Sequence, residues 1–314
     1  MEISVIMLTH NREDYVEDAI KSIINQTFKN FEFIIINNGS SDNSKLILDN
    51  YANKDSRIKV INLDSNLGIG AGRNRGLDYA IGDYITFIDD DDIAEADMLE
   101  FLYNLVVDYS ADISLCGSTK EVNGSILPNY VYDEKLIMNA SEAVVEMLKR
   151  KRYNVGMPTK LLKRELFEKI RFYETGRYDD ITVGYKYLAN SKKVVAHGLP
   201  KYCVRRHDNN NSAFTTNDKL LSPSQLDEYF DAFKERTEYL SQLLPDIADY
   251  AQYSEWSYMI SMCNKIISNN LTNCSNQLSY IKDILTENFD EFYNSPYIQN
   301  FEKDYMDKYI RRNA

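Results

Sequence analysis

Tyr84-Ile85-Thr86-Phe87-Ile88-Asp89-Asp90-Asp91-Asp92 joins a short apolar run to four consecutive aspartates, and its reading decides the fold. Tyr84 to Ile88 has strand composition, and a strand that stops in acids puts them at its carboxyl end. The same grammar recurs upstream. Ile3-Ser4-Val5-Ile6-Met7-Leu8 stops at Thr9-His10-Asn11, after which Tyr15, Ala19, Ile20, Ile23 and Ile24 return at helical spacing. Phe31 to Ile36 stops at the turn-forming cluster Asn37-Asn38-Gly39-Ser40-Ser41-Asp42, followed by a helix-like stretch through Leu46, Leu48 and Tyr51. Ile58 to Leu63 leads into a glycine-rich loop and a helix from Arg73 to Ala80. Alternating strands and helices predict an α/β domain with a mostly parallel central sheet covered on both faces. In such sheets ligands lie beyond the carboxyl ends of the strands, where all four polar loops fall.

Beyond about residue 215 the pattern changes. Leu226, Tyr229, Phe230, Phe233, Leu240 and Leu244 fit one helical face, as do Tyr253, Trp256, Met259, Ile260, Cys263 and Ile267; Leu278, Ile281, Leu285, Phe289 and Phe292 form a third stripe. The expected division is residues 1–218 for the α/β domain and 219–314 for a helical region, whose tyrosines would suit a homodimer surface or an acceptor platform.

The 314 residues carry a formal charge of −12, which argues against a nucleic-acid partner, since such proteins present a basic stripe to the phosphates. Four scattered cysteines with no CxxC pair, and no secretory signal pattern, point to a reducing, cytoplasmic setting. No window approaches the ~18 consecutive apolar residues of a spanning helix. Membrane contact would therefore be peripheral, at the inner face. Lys149-Arg150-Lys151-Arg152 either complements the dipole at the end of a helix starting near Ser141 or docks near anionic lipid.

Four adjacent carboxylates raise one another's pKa unless a cation or hydrogen bonds compensate them. Their oxygens suit Mg²⁺ or Mn²⁺, which take one or two protein carboxylates and fill the remaining positions with phosphate oxygens and water. A solvated acidic loop, or the first turn of the helix that Leu99 and Leu102 suggest, accounts for the same residues equally well. In Asn66-Leu67-Gly68-Ile69-Gly70-Ala71-Gly72-Arg73-Asn74-Arg75-Gly76 the glycines would let the backbone approach a phosphate, with Arg73 and Arg75 as donors. A dinucleotide fingerprint fits poorly, because the loop follows the third strand and Arg73 occupies its last place.

Taken in order, these segments resemble glycosyltransferase family 2, the inverting class with the GT-A fold. Ser4 to Asn11 resembles its opening strand and nucleotide loop, Ser22 to Phe28 its S-I-L-x-Q-T-F helix end, Asn37 to Asp42 its D-D-G-S-x-D loop, Asn66 to Gly76 its N-x-G-x-x-x-x-R-N-x-G segment, and Phe87 to Asp92 its metal motif. Pro158 to Arg164 and Arg171-Phe172 resemble the approach to its catalytic loop, Tyr178-Asp179-Asp180 its E-D pair, and Tyr202 to His207 its Y-x-x-R-x-H close. The resemblance implies a Rossmann-like GT-A domain using a nucleoside-diphosphate sugar. It places Thr9, Asn11 and Asn38 on the nucleobase, Arg73 and Asp90 on the nucleotide, and Asp89 and Asp91 at a Mn²⁺ or Mg²⁺, with His207 as a further metal ligand or a diphosphate contact. Asp180 is the expected general base and Asp179 its alternate. Asn37 and Asn38 depart from the family's aspartates; an Asn carbonyl still accepts from uracil N–H, so a UDP-sugar remains the expected donor. A glycan, glycolipid or lipid-linked hydroxyl would accept the sugar, in bacterial surface polysaccharide or glycoconjugate synthesis.

Two other readings use the same residues. A sugar-nucleotide nucleotidyltransferase also couples an α/β sheet to acidic metal ligands, but carries glycines in its first loop, whereas this chain has Thr9-His10-Asn11-Arg12. A non-catalytic sugar-nucleotide-binding protein would explain Asn37 and Asn38 but leaves Asp89, Asp91 and Asp180 without a reason. An Asp-Asp pair is, by itself, most often a surface turn.

Overall fold

A computed structural model describes residues 1–176, 178–207, 210 and 217–311. These divide into two compact units, Met1–Arg206 and His207–Ala314. The first is built on a sheet of ten strands: β1 (Ile3–Thr9), β2 (Phe31–Asn38), β3 (Ile58–Leu63), β4 (Tyr84–Asp89), β5 (Ile93–Ala94), β6 (Ile113–Val122), β7 (Ser125–Tyr130), β8 (Lys135–Met138), β9 (Lys160–Lys163) and β10 (Val194–Arg206). Its order is β3-β2-β1-β4-β9-β6-β10-β5, with β7 on β6 and β8 on β10.

The four strands read from the sequence form a parallel block with the expected crossovers. β1 and β2 are buried on both faces, as a sheet between helix layers requires. Ile3, Val5 and Met7 share one core with Ala19, Ile20 and Ile23 of α1 (Val16–Ile24). Helices α2 (Ser44–Ala52), α3 (Ile69–Tyr79) and α4 (Met98–Tyr109) follow β2, β3 and β5.

β9 then runs antiparallel between β4 and β6, while β10 returns parallel to β6, making the sheet mixed beyond β4. Helix α5 (Ala140–Lys149) begins with a reciprocal cap: Glu142 N–H donates to Asn139 Oδ1 at 3.0 Å, and Asn139 N–H to Glu142 Oε2 at 2.9 Å. It ends at Arg150 in the left-handed region, φ +55°. Part of the basic run is neutralised there, Lys149 by Glu146 at 3.2 Å and Arg152 by Glu134 at 2.5 Å. Helices α6 (Leu166–Lys169) and α7 (Asp179–Ala189) complete the unit.

The second unit is helical. α8 (Pro223–Leu243) opens with a Ser222–Gln225 capping box and Pro223 in its first turn. α9 (Ala248–Ser268) packs against α8, α10 (Ser275–Glu287) and α12 (Asn300–Tyr309). The third stripe is two helices, because α10 ends at Asn288, whose Nδ2 donates to Ile284 O at 2.8 Å, and α11 (Phe289–Tyr293) starts anew. The chain passes from the first unit to the second at Arg206/His207, against an expected division at 218/219. All four cysteines are free and buried. Among the described residues no helix is long and apolar enough to cross a membrane.

Candidate active site

The loops beyond β1 and β2 are held by amide and hydroxyl hydrogen bonds, joined by the Asp42 and Glu13 carboxylates, which accept Glu13 N–H at 3.1 Å and Asn43 N–H at 3.0 Å. Asn11 sits at φ +54°, which Asn tolerates better than most residues, and its Oδ1 accepts Ser41 N–H at 2.8 Å. His10 Nδ1 lies 2.9 Å from Asn38 O. Asn37 Nδ2 donates to Asn62 Oδ1 at 2.8 Å, and its Oδ1 accepts Ser40 N–H at 3.1 Å. Asn38, only 2% exposed, donates to Asn66 Oδ1 at 3.0 Å and Gly68 O at 3.2 Å while accepting Leu67 N–H at 2.9 Å. It ties the end of β2 to the turn before α3. Thr9 is buried at the end of β1.

The glycine-rich segment is helix α3 from Ile69 onward, and its glycines permit close packing. A Cβ at Gly70 would lie 1.8 Å from Tyr173 O, at Gly72 2.3 Å from Leu8 Cδ1, and at Gly76 2.5 Å from Ile6 Cγ2. Arg75, expected as an oxyanion donor, pairs on the helix surface with Asp78 at 3.7 Å. Asn74 clasps the opposing chain: its Oδ1 accepts Phe172 N–H at 3.0 Å and its Nδ2 donates to Phe172 O at 2.9 Å. The approach allowed by Gly70 brings the start of α7 over the end of β4.

Arg73, buried between the rings of Phe87 and Phe172 at 5.4 Å from each centroid, joins the two. Its Nη1 binds Asp179 Oδ2 at 2.7 Å and also Asp180 Oδ1, while Nη2 lies 3.4 Å from Asp89 Oδ1. Burial opposes the guanidinium charge, but Asp179, Asp180 and Asp89 outweigh it and raise the pKa. Burial likewise pushes Asp179 up to about 6, against the pull of Arg73. The two acids differ in access: the Asp179 side chain is 9% exposed and that of Asp180 26%.

Asp89 to Asp92 form a tight turn closed by Asp92 N–H to Asp89 O at 3.3 Å. Tyr202 and Arg205 of β10 brace it. Asp89 N–H donates to Tyr202 Oη at 3.0 Å, Arg205 N–H to Asp92 Oδ1 at 2.8 Å, and Arg205 Nε to Asp91 O. Burial and then Asp91 push Asp90 up to about 7, with Arg12 opposing. Asp89 also stands at about 7, through burial and Asp91 working against Arg73. Its side chain nevertheless keeps 45% of its surface open, which fits a group on the wall of an open cleft where water screens part of the penalty. Asp92 is raised by burial, then by Asp89 and Asp91. Arg12 Nε stands 3.4 Å from Asp90 Oδ1 and 3.8 Å from Asp91 Oδ2.

The structure thus brings Arg73, Asp179, Asp180 and Asp89 together, with Asp90 and Asp91 on the same turn. His207, the expected further ligand, belongs to the second unit, where its Nε2 lies 3.1 Å from Asn210 Nδ2. Among the described residues no group of three or more His, Cys, Asp or Glu side chains forms a metal shell by itself. Arg12, Asn74, Lys160, Tyr202 and Arg205 carry no role that the sequence alone predicts. All lie inside or beside the quoted motifs, which was the available signal.

A sheet with this strand order, its acids at the carboxyl end of β4 and a second acid pair opposite, is the GT-A arrangement of a glycosyltransferase. The chain belongs to glycosyl transferase family 2, whose model matches residues 4–172. It is 31% identical over 213 residues to the glycosyltransferase GlyG of Streptococcus pneumoniae serotype 4, covering 65% of this chain and 70% of that protein. It is 35% identical over 212 residues to GlyA of the same organism, again 65% of this chain but only 30% of the longer relative. Among solved structures, S. aureus TarS 1–349 in complex with UDP-GlcNAc superposes with a TM-score of 0.67 at 20% identity, over 94% of this chain and 79% of that one.

Proposed function

We propose that this glycosyltransferase moves a sugar from a UDP-sugar to the hydroxyl of a glycan, glycolipid or lipid-linked acceptor, with inversion at the anomeric carbon and Asp180 as general base. One observation carries the reading: Asp180 is the solvent-reaching member of an acid pair anchored by a buried arginine to the wall that holds Asp89. A base must reach the acceptor hydroxyl and be held still. Arg73 fixes Oδ1 of Asp180, and Met157 N–H approaches Oδ2 at 3.4 Å. In the proposed step the acceptor oxygen forms its bond to the anomeric carbon as its proton passes to Asp180. The bond from that carbon to the diphosphate oxygen breaks, its electron pair leaving with the nucleoside diphosphate. Asp179, buried, positions Arg73.

The acid turn fits a hard divalent cation. Asp89 and Asp90 carry raised pKa values through burial and the charge of Asp91 beside them, and a cation sharing its shell with diphosphate oxygens needs only one or two carboxylates. Asp91 and Asp89 would hold Mn²⁺ or Mg²⁺, which would supply charge neutralisation to the departing diphosphate. The uridine preference is supported by the UDP-GlcNAc held by TarS. Surface polysaccharide or glycoconjugate synthesis is the proposed setting.

The test is Asp180→Asn, assayed for UDP release from a panel of UDP-sugars with Mn²⁺ and hydroxyl acceptors. Expected is a fall in kcat of about 10²- to 10⁴-fold with UDP affinity unchanged by calorimetry. Wild-type turnover in Asp180→Asn would overturn the base assignment.

A further inference from the structure

Lys160 is 3% exposed, an uncommon place for a lysine without a carboxylate at bonding distance. It opens β9, paired with Leu115 of β6. The chain enters β9 through Thr159 at φ +77°, a conformation a β-branched residue adopts only at a cost. Thr159 O is pinned by Cys116 N–H at 3.0 Å. The Lys160 ammonium donates to Gly156 O. The carbonyl of Gly156 and the N–H of Met157 belong to one peptide group, and that N–H faces Asp180 Oδ2 at 3.4 Å.

We infer that Lys160 is a positioning residue for Asp180, acting through the peptide group that joins Gly156 to Met157. A cation on the carbonyl oxygen polarises the peptide and strengthens the donor at its other end, as hydrogen-bond chains do in a low dielectric. The loop has little freedom to do otherwise. Gly156 N–H is tied to Asn154 Oδ1 at 3.0 Å, and Val155 packs where a Cβ on Gly184 of α7 would come within 2.4 Å. Asp180 is thereby gripped from two sides, by Arg73 on Oδ1 and by the Lys160-backed peptide on Oδ2. The charged or titratable groups bearing on Lys160 are Asp180 on α7 and Cys116 on β6, and burial brings its pKa down to about 8 against both. The Cys116 thiol is itself pushed up to about 12 by burial, which leaves Asp180 as the anion.

The inference rests on Asp180 being the base, and the test separates the two. In Lys160→Met, of similar shape without charge, the Met157 amide proton should move upfield and exchange faster, observed by NMR without substrate; an unchanged Met157 amide would sink the link. With UDP-glucose and UDP-GlcNAc as probes, Lys160→Met should lower kcat about tenfold at constant donor KM, the scale expected of a misplaced catalytic group. It should lower nothing further in an Asp180→Asn background; an equal loss in both backgrounds would mean that Lys160 acts elsewhere. Full turnover in Asp180→Asn alone would remove the base reading while the amide result still judges the link. Should Lys160→Met fail to fold, Lys160→Gln, which keeps a neutral donor for Gly156 O, replaces it in both measurements, and the same results support or overturn the link.

Discussion

The loops beyond β1 and β2 and the turn beyond β4 occupy the same edge of one sheet, yet they are held by different forces. At the first, Asn11, Asn37 and Asn38 exchange neutral amide hydrogen bonds with Ser40, Ser41, Asn62 and Asn66. Three acids of the β4 turn and Asp179 have raised pKa values, and the cations bearing on these acids are the guanidinium groups of Arg73 and Arg12. The amide bonds of the first region carry no titrating group, and the carboxylates beside them, Asp42 and Glu13, are each held by backbone N–H donors. A crowded acid cluster is costly alone and gains from a cation. The comparison assigns shape to one half of the edge and charge to the other.

The largest expected effect comes from removing the cation that the acids share. Arg73→Met leaves Asp179 buried without its partner, and breaking a buried ion pair from one side costs about 3–5 kcal/mol. Denaturant unfolding should show that loss. Arg73→Met/Asp179→Asn should recover part of it, because the orphaned charge is gone. A loss below about 1 kcal/mol would mean that water already compensates the acids and that the contrast with the amide loops is overstated.

A smaller effect follows from protons. Asp89 and Asp90 stand at about 7 and Asp179 at about 6, against about 3.9 for an unfolded aspartate. The native state keeps protons that the unfolded chain releases, so their stabilisation is complete below about pH 4 and is lost as pH rises through 6 to 7. Asp90 and Asp179 carry most of this, since Asp89 is half open to water. In EDTA the melting temperature should be roughly 5 °C higher at pH 5.5 than at pH 8, and Mn²⁺ at pH 8 should restore the difference. A flat profile that ignores both pH and Mn²⁺ would take the charge from the charge half.

The two halves were unequally legible in the sequence. β1 to β4 could be read because each is a continuous apolar run that stops at a polar cluster, and the loops followed from the stops. β5 is two residues and β9 four, too short for a period to show, so the reversal beside β4 was invisible. Each acid pair is legible as a pair, but what joins Asp179 and Asp180 to Asp89 is an arginine 106 and 107 residues away, and sequence spacing carries no such distance. In sequence, glycines 70, 72 and 76 that make room for a phosphate and glycines that make room for Tyr173, Leu8 and Ile6 have the same signature. Lys160 lies in the segment that resembles the approach to the catalytic loop, and nothing in Lys-Leu-Leu-Lys marks its burial or the left-handed Thr159 before it.

The smallest expected effect tests the shape half directly. Asn38 donates to two oxygens, Asn66 Oδ1 and Gly68 O, and accepts one N–H from Leu67. Asn38→Ala should cost about 1 to 2 kcal/mol, the penalty for unsatisfied buried amide partners, by the same amount at pH 5.5 and pH 8. Asn38→Asp behaves differently. Its carboxylate still accepts from Leu67, but its other oxygen faces the Gly68 carbonyl as acceptor against acceptor, and only protonation restores a donor. Its pKa is then raised, so Asn38→Asp should approach wild-type stability at pH 5.5 and fall below Asn38→Ala at pH 8. That outcome would make the amide half pH-dependent by moving one proton, and would explain why an amide stands where the family often has an acid. Equal stability of Asn38→Asp and wild type at pH 8 would show that the Asn66 turn rearranges, and that the β2 loop is not preformed.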